Sequence, residues 1–303
     1  MKKTEKKSTK IKLAKSEVVL YTVNNVILFL FGFVVAFPII NMIASSFSSG
    51  EAVAAGRVGL WPVGFTLEGY QAVFKNEDIV TGYLNTIFYT VAGTAFNIFV
   101  TLLAAYPLSR RTLPGKGWLM FLFTFTMMFS GGMVPSYIQI RDLGLIDTRW
   151  AMILPGALSV YNMIITRTNF MSNIPNELLE AAKIDGASDI KFFVTMVLPL
   201  SKAIIAVITL YYAVAHWNAF FSAFLYLNNR KLFPLQVIMR EILIENSMSQ
   251  DMTLDTELMI HKQNVADMIK YSLIMVASVP LWCIYPFIQK YFVQGVMIGS
   301  IKG

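Results

Sequence analysis

Of 303 residues, 56% are hydrophobic and only 14% charged, and mean hydropathy is +0.58. A soluble domain carries about 25% charged residues, so the chain reads as an integral membrane protein. The net charge of +7 divides by segment and makes no nucleic-acid signal, and the one cysteine, Cys283, excludes an internal disulfide and any cysteine metal cluster.

Residues 1–17 form a basic tail, with Lys2, Lys3, Lys6, Lys7, Lys10, Lys12 and Lys15 against Glu5 and Glu17. Such a tail suits an anionic inner leaflet. The apolar run behind it, about 26–44, is too long for a signal-peptide core and reads as an uncleaved first span. Six spans are expected, at about 18–45, 84–108, 118–139, 150–167, 199–227 and 268–290, each near the roughly 20 residues a helix needs to cross. The expected organisation is therefore all-α: a polytopic six-span domain over 18–290, with a short cytoplasmic tail at 291–303. With the N-terminus cytoplasmic, most of the 25 Lys and Arg fall inside and the acidic residues run the other way. The positive-inside rule then places both termini in the cytoplasm.

The first outer segment, about 46–83, mixes turn residues and aromatics in Leu60-Trp61-Pro62-Val63-Gly64-Phe65. It predicts a short structure lying on the outer face, either as membrane-belt aromatics or as a partner contact. Span three ends in Ser130-Gly131-Gly132-Met133-Val134-Pro135, and Leu154-Pro155-Gly156 falls early in span four. Gly and Pro at such places mark a cavity-lining break or a packing kink.

Between spans four and five lies a polar insert, 168–198. Pro175 suits a helix start, Glu177 and Glu180 sit near its positive end, and Gly186 falls where a C′ residue needs positive φ. Ser188 can cap a second short helix to about 197, and Pro199 can open span five. The insert thus predicts helix, tight turn, helix, feeding a membrane span. Ala181 and Ala182 allow close approach of another backbone, so the expected neighbour of Ala182 is another protein.

Span five carries Tyr211-Tyr212-Ala213-Val214-Ala215-His216-Trp217-Asn218-Ala219-Phe220-Phe221. Counted from Pro199, Tyr212 lies roughly 20 Å and Trp217 roughly 27 Å along the helix. Tyr212 and His216 are expected to share a face, as are Trp217 and Phe221. Aromatic faces with hydrogen-bonding tips suit a sugar. Tyr212, His216, Trp217, Asn218 and Phe221, with Asn162 of span four, are the candidate substrate-pathway residues; interfacial anchoring is the competing role. The second outer loop, about 228–267, ends in an acidic run at 250–257.

Glu180-Ala181-Ala182, Gly186 and Val197-Leu198-Pro199 together resemble the cytoplasmic EAA loop of ATP-binding-cassette (ABC) importer permeases. Asn85-Thr86, Tyr106-Pro107-Leu108-Ser109-Arg110 and the Gly-Val-Met-Ile-Gly-Ser-Ile-Lys-Gly tail are similar to the maltose-type carbohydrate permeases. Phe129-Ser130-Gly131-Gly132, Leu143-Gly144-Leu145-Ile146-Asp147-Thr148-Arg149-Trp150 and Ile153-Leu154-Pro155-Gly156-Ala157 resemble the LplC/YtcP-like subgroup, which is associated with complex oligosaccharides.

The resemblance implies a type I ABC importer permease in a bacterial cytoplasmic membrane. It implies a second homologous permease subunit, two ATPase subunits and an extracytoplasmic sugar-binding protein as partners. Glu180, Ala181, Ala182, Asp185, Gly186, Leu198 and Pro199 would couple to the ATPases. The subunit would be non-catalytic and carry no cofactor, with ATP and Mg on the partners. In agreement, the chain lacks a G-x-x-x-x-G-K-[ST] phosphate loop, and its only histidines, His216 and His261, offer little for metal or triad chemistry. An ion-coupled secondary carrier of a small polar solute is the alternative, disfavoured by the near absence of intramembrane charge.

Overall fold

Charge-free runs in a bilayer must satisfy every backbone N–H and C=O internally, and helix does this within one segment. The computed structural model describes residues 14–248, 266–286 and 289, and among them there is no β-strand. Most of the basic tail, His261, the acidic run at 250–257 and the 291–303 tail lie outside the described residues.

In chain order the helices are α1 (Lys15–Ser46), α2 (Gly50–Ala54), α3 (Glu68–Lys75), α4 (Glu77–Ser109), α5 (Lys116–Met128) and α6 (Met133–Asp142). A 3-10 turn (Arg149–Met152) precedes α7 (Val160–Asn173), α8 (Asn176–Ile184) and α9 (Asp189–Phe192). A π-helical stretch (Phe193–Val197) leads into α10 (Leu198–Leu200), α11 (Lys202–Trp217) and α12 (Phe221–Tyr226). A second 3-10 turn (Arg230–Leu232), α13 (Leu235–Met248) and α14 (Ala266–Pro286) complete the set.

The chain divides into two units. The first comprises Met1–Gly69 with Asp255–Ser272. Here the turn-rich segment after α2 folds back on the end of α1. Asn41 Nδ2 donates to the carbonyls of Val58 and Gly59 at 2.8 and 2.9 Å, Ser48 Oγ accepts from Val63 N, and Phe47 stacks on Phe65. The body of α1 is exposed along its apolar length.

The second unit, Tyr70–Leu254 with Leu273–Gly303, is built on α4. Its buried face runs Gly82, Thr86, Tyr89, Gly93, Asn97, Thr101, Ala105 and Leu108, a spacing of three or four throughout. Small and polar residues on such a face let helices approach and bond across the contact. α7, α11 and α13 pack against it. A Cβ at Gly82 would collide with Ile238 and Leu235, and one at Gly93 with the ring of His216.

Among the described residues three helices are long and apolar enough to cross a membrane: α1 from Ser16, α4 and α14. Two bent pairs raise the number to at most five: α5 with α6, bent by 112°, and Asp189–Leu200 with α11, bent by 80°. Span three thus breaks at residues 129–132, where Gly132 takes φ +89°. The expected fourth span is helical only from Val160. Its 14 residues rise about 21 Å, against a hydrocarbon core of about 30 Å. Leu154-Pro155-Gly156 therefore precedes the helix, because Ser159 caps α7 and accepts from Asn162 N. Span five starts at Lys202 rather than Pro199, after a break at Ser201, and stops at Trp217.

Candidate functional site

Two regions of the second unit hold the predicted site residues. The first is a cavity of about 570 Å³ beside α11. Asn97 of α4, the 151–159 segment, Tyr161 and Asn162 of α7, Tyr211, Tyr212, Ala215 and His216 of α11, and Ala219 and Ser222 line it.

Hydrogen bonds fix its walls. Asn97 Nδ2 donates to Gly156 O at 2.5 Å, so Oδ1 is the acceptor facing His216 Nε2 at 3.2 Å. An amide oxygen only accepts, so the imidazole carries its proton on Nε2. The ring fits because Gly93 leaves bare backbone beneath it. Tyr212 Oη accepts from Ser159 N at 3.0 Å and shares a 2.7 Å bond with Thr101 Oγ1. One phenol thus ties α4, α11 and the start of α7 together.

Of the predicted pathway residues, the fold brings Asn162, Tyr212 and His216 to this cavity. It does not bring the others. Trp217 is 4% exposed, donates from Nε1 to Ala277 O at 3.0 Å and meets Tyr83 edge-on at 5.9 Å. Asn218 caps α11 and bonds back to Val214 O. Phe221, 57% exposed, opens α12 beyond the break. Trp217 and Phe221 therefore share no face; the expectation assumed one unbroken helix. Asn97, Gly93 and Ser159 were missed, since a polar or small residue on a membrane helix has no periodic apolar signal.

The second region is the insert. α8 runs from Pro175 as N-cap, one position earlier than a first-turn proline. Its end is a Schellman motif: Ala187 N donates to Ala182 O at 2.8 Å and Gly186 N to Lys183 O at 3.0 Å, with Gly186 at φ +73°. Nothing crowds a Cβ at Gly186, so backbone conformation alone calls for glycine there. Ser188 caps α9, accepting from Lys191 N.

Glu180, Ala181, Asp185, Gly186 and Pro199 are exposed. Ala182 and Leu198 are half-buried: both pack, with Leu179 and Phe193, on the chain's own core of Leu108, Phe170, Phe192 and Val197. Helical phase turns residue 182 inward when 181 faces out. The outward apolar surface is instead Ile184, 87% exposed, and Ile190, 77% exposed. Sequence reasoning passed over both as ordinary filler between the motif letters.

The opposite end of α4 is stitched to the 228–235 segment. Asn85 Nδ2 donates to Lys231 O and Phe233 O, Tyr89 Oη to Leu232 O, and Leu235 N to Thr86 Oγ1. Asp147, at φ +60°, accepts from Asn228 N and Asn229 N through Oδ1. Arg230 bonds Asp78 at 2.9 Å and Glu241 at 3.1 Å. The Asp78 hydrogen bond holds the guanidinium pKa above its usual value. Among the described residues no three His, Cys, Asp or Glu side chains converge on a metal position.

No family model matches the chain. It is 44% identical over 277 residues to the polygalacturonan/rhamnogalacturonan transport system permease protein YtcP of Bacillus subtilis, covering 91% of this chain and 96% of that protein. It is 41% identical to the protein LplC of the same organism, over 90% of this chain and 91% of the other. Its fold matches a chain in the crystal structure of a bacterial ABC transporter involved in the import of the acidic polysaccharide alginate. That match has a TM-score of 0.84 and 33% identity, and covers 93% of this chain and 99% of that one.

Proposed function

We propose a function from one premise: this chain belongs to the LplC/YtcP-like group of ABC-transporter permeases. It is a multi-span membrane permease subunit of a carbohydrate importer. The observation that carries the reading is likeness along nine-tenths of the chain to a polygalacturonan/rhamnogalacturonan permease, on one continuous fold. The alternative of an ion-coupled carrier is not favoured.

We propose a finer assignment, which that membership and the geometry support. The permease domain spans 18–290, between cytoplasmic segments 1–17 and 291–303, in the cytoplasmic membrane of a bacterium. It forms half of a translocation path with a homologous second permease. Two ATPase subunits that hold ATP and Mg dock under the 168–198 insert, and an external binding protein delivers an oligosaccharide. The Schellman-turned pair α8 and α9 transmits ATPase motion into α11. Ile184 and Ile190 join Glu180, Ala181, Asp185 and Gly186 at the docking face, while Ala182 and Leu198 anchor it to the bundle. Support comes from the outward apolar side chains of the insert, Ile184 and Ile190 foremost, an arrangement that asks for a protein partner.

The test is reconstitution of the tagged chain with its co-expressed subunits in proteoliposomes. The expected result is co-purification of an ATPase subunit and saccharide uptake that stops without ATP. Uptake driven by an ion gradient alone would refute the reading.

A further inference from the structure

The cavity beside α11 contains polar groups that the described residues leave unanswered. Asn162 is 5% exposed and His216 8%, and both line the cavity. The backbone of Asn162 is bonded at both ends, N to Ser159 Oγ and O from Thr166 Oγ1. Among the described residues its side-chain amide has no partner. His216 commits Nε2 to Asn97, and among the described residues Nδ1 has none. These atoms open onto the cavity, where a water or a ligand answers them.

The rest of the lining says which ligand. Among the described residues it contains no Lys, Arg, Asp or Glu. Ser159 and Ser222 add hydroxyls, and Tyr161 adds an aromatic ring. The volume falls within the roughly 300–1,000 Å³ of small-molecule sites. We propose that this cavity is a saccharide subsite on this subunit itself, in which Asn162 and His216 read the neutral hydroxyls of one or two sugar units. The inference rests on the carbohydrate-importer reading above.

A uronate carboxylate entering here would lose water without meeting a fixed positive charge, a transfer that buried anions resist. Where the imported chain is acidic, its carboxylates are left to other parts of the path. This subunit therefore senses sugar stereochemistry and not sugar charge.

The test uses the whole complex in nanodiscs, with Cys283→Ser and Ser222→Cys in this chain and cysteine-free partner subunits. The rate of thiol labelling by a small methanethiosulfonate reagent is measured with galactobiose or digalacturonate present. Galactobiose should slow labelling at least five-fold and digalacturonate should not. Asn162→Leu should abolish the protection while the ATPase subunits stay bound. His216→Gln, which can still reach Asn97 but lacks Nδ1, should weaken it and serves where the leucine variant fails to assemble. Equal protection by digalacturonate would overturn the neutral assignment. Absence of protection by either sugar, in a complex that still imports a saccharide, would overturn the subsite and leave the importer reading standing. A complex that imports no saccharide would instead remove the reading on which the subsite rests.

Discussion

The two ends of α4 are held in different ways. At its start, Asn85, Thr86 and Tyr89 reach across to the 231–235 segment with directional hydrogen bonds, and Asp147 clasps Asn228 and Asn229 nearby. At its far end, Tyr106 leans on Phe193 at 4.6 Å and Arg110 lies over the rings of Tyr106 and Phe192. Two bonds cross there: Arg167 Nε to Leu108 O at 2.9 Å and Tyr106 Oη to Asp189 O at 3.3 Å. Arg110 Nε and Nη2 are buried without an acceptor. Directional bonds fix position, whereas ring and dispersion contacts persist through small shifts. The difference teaches which end can move: the insert end is bedded on rings, and the other is pinned.

The largest effect that would break this contrast is expected from Gly186→Val. A β-branched residue at φ +73° is strained by about 1–2 kcal/mol or more, and the Schellman turn is lost. Uptake should fall to background while membrane insertion, read by quantitative blotting, is unchanged; Gly186→Asn, which tolerates this conformation, should keep part of it. Wild-type uptake by the valine variant would show that the turn transmits nothing.

Next comes the docking face. Ile184→Ser with Ile190→Ser should reduce ATPase co-purification at least ten-fold with no fall in melting temperature, because these side chains leave their own core untouched. Ala182→Trp should do the reverse and lower the melting temperature, since overpacking a core costs typically 1–3 kcal/mol and Ala182 packs on the Phe170–Phe192 cluster.

At the pinned end, Asp147→Ala should cost about 1–3 kcal/mol through two lost charge-assisted bonds and a non-glycine left-handed residue. A fall of several degrees in melting temperature, with ATPase binding retained, is the expected readout. An unchanged melting temperature would remove the pin from the comparison. Smallest of all is Trp217→Phe, which deletes one hydrogen bond to Ala277 O. Uptake within about two-fold of wild type is expected, on a net worth of about 1 kcal/mol for such a bond. A complete loss would return Trp217 to the pathway.

The insert was the most legible part of the chain. Gly186 and Ser188 are local signals, a C′ glycine and an N-cap, and local signals need no knowledge of the partner segment. The cavity was legible only in part. Tyr212 and His216 declared themselves as polar tips on an apolar span, but Asn97 and Gly93 act through a residue more than one hundred positions away. The breaks at Ser201 and at residues 218–220 were hidden because Ser201, Lys202 and Asn218 are too few to end an apolar run of this length, and hydropathy does not register a bend. Trp217 was misread for the same reason: its phase was counted along a helix that ends there.

The π-helical stretch at Phe193–Val197 bears on how the insert is phased. A π turn holds about one residue more than an α turn, and each residue of helix is worth about 100° of rotation. Phe192 and Val197, five residues apart, both sit in the core because that surplus residue takes up the difference, while Ile190, two residues before Phe192, points to the outside. Were the stretch to relax to α geometry with all its residues kept, everything before it would swing by about 100° relative to α10, carrying Ile190 away from the outside. The facing of α9 relative to α10 is therefore stored in the winding of a single turn.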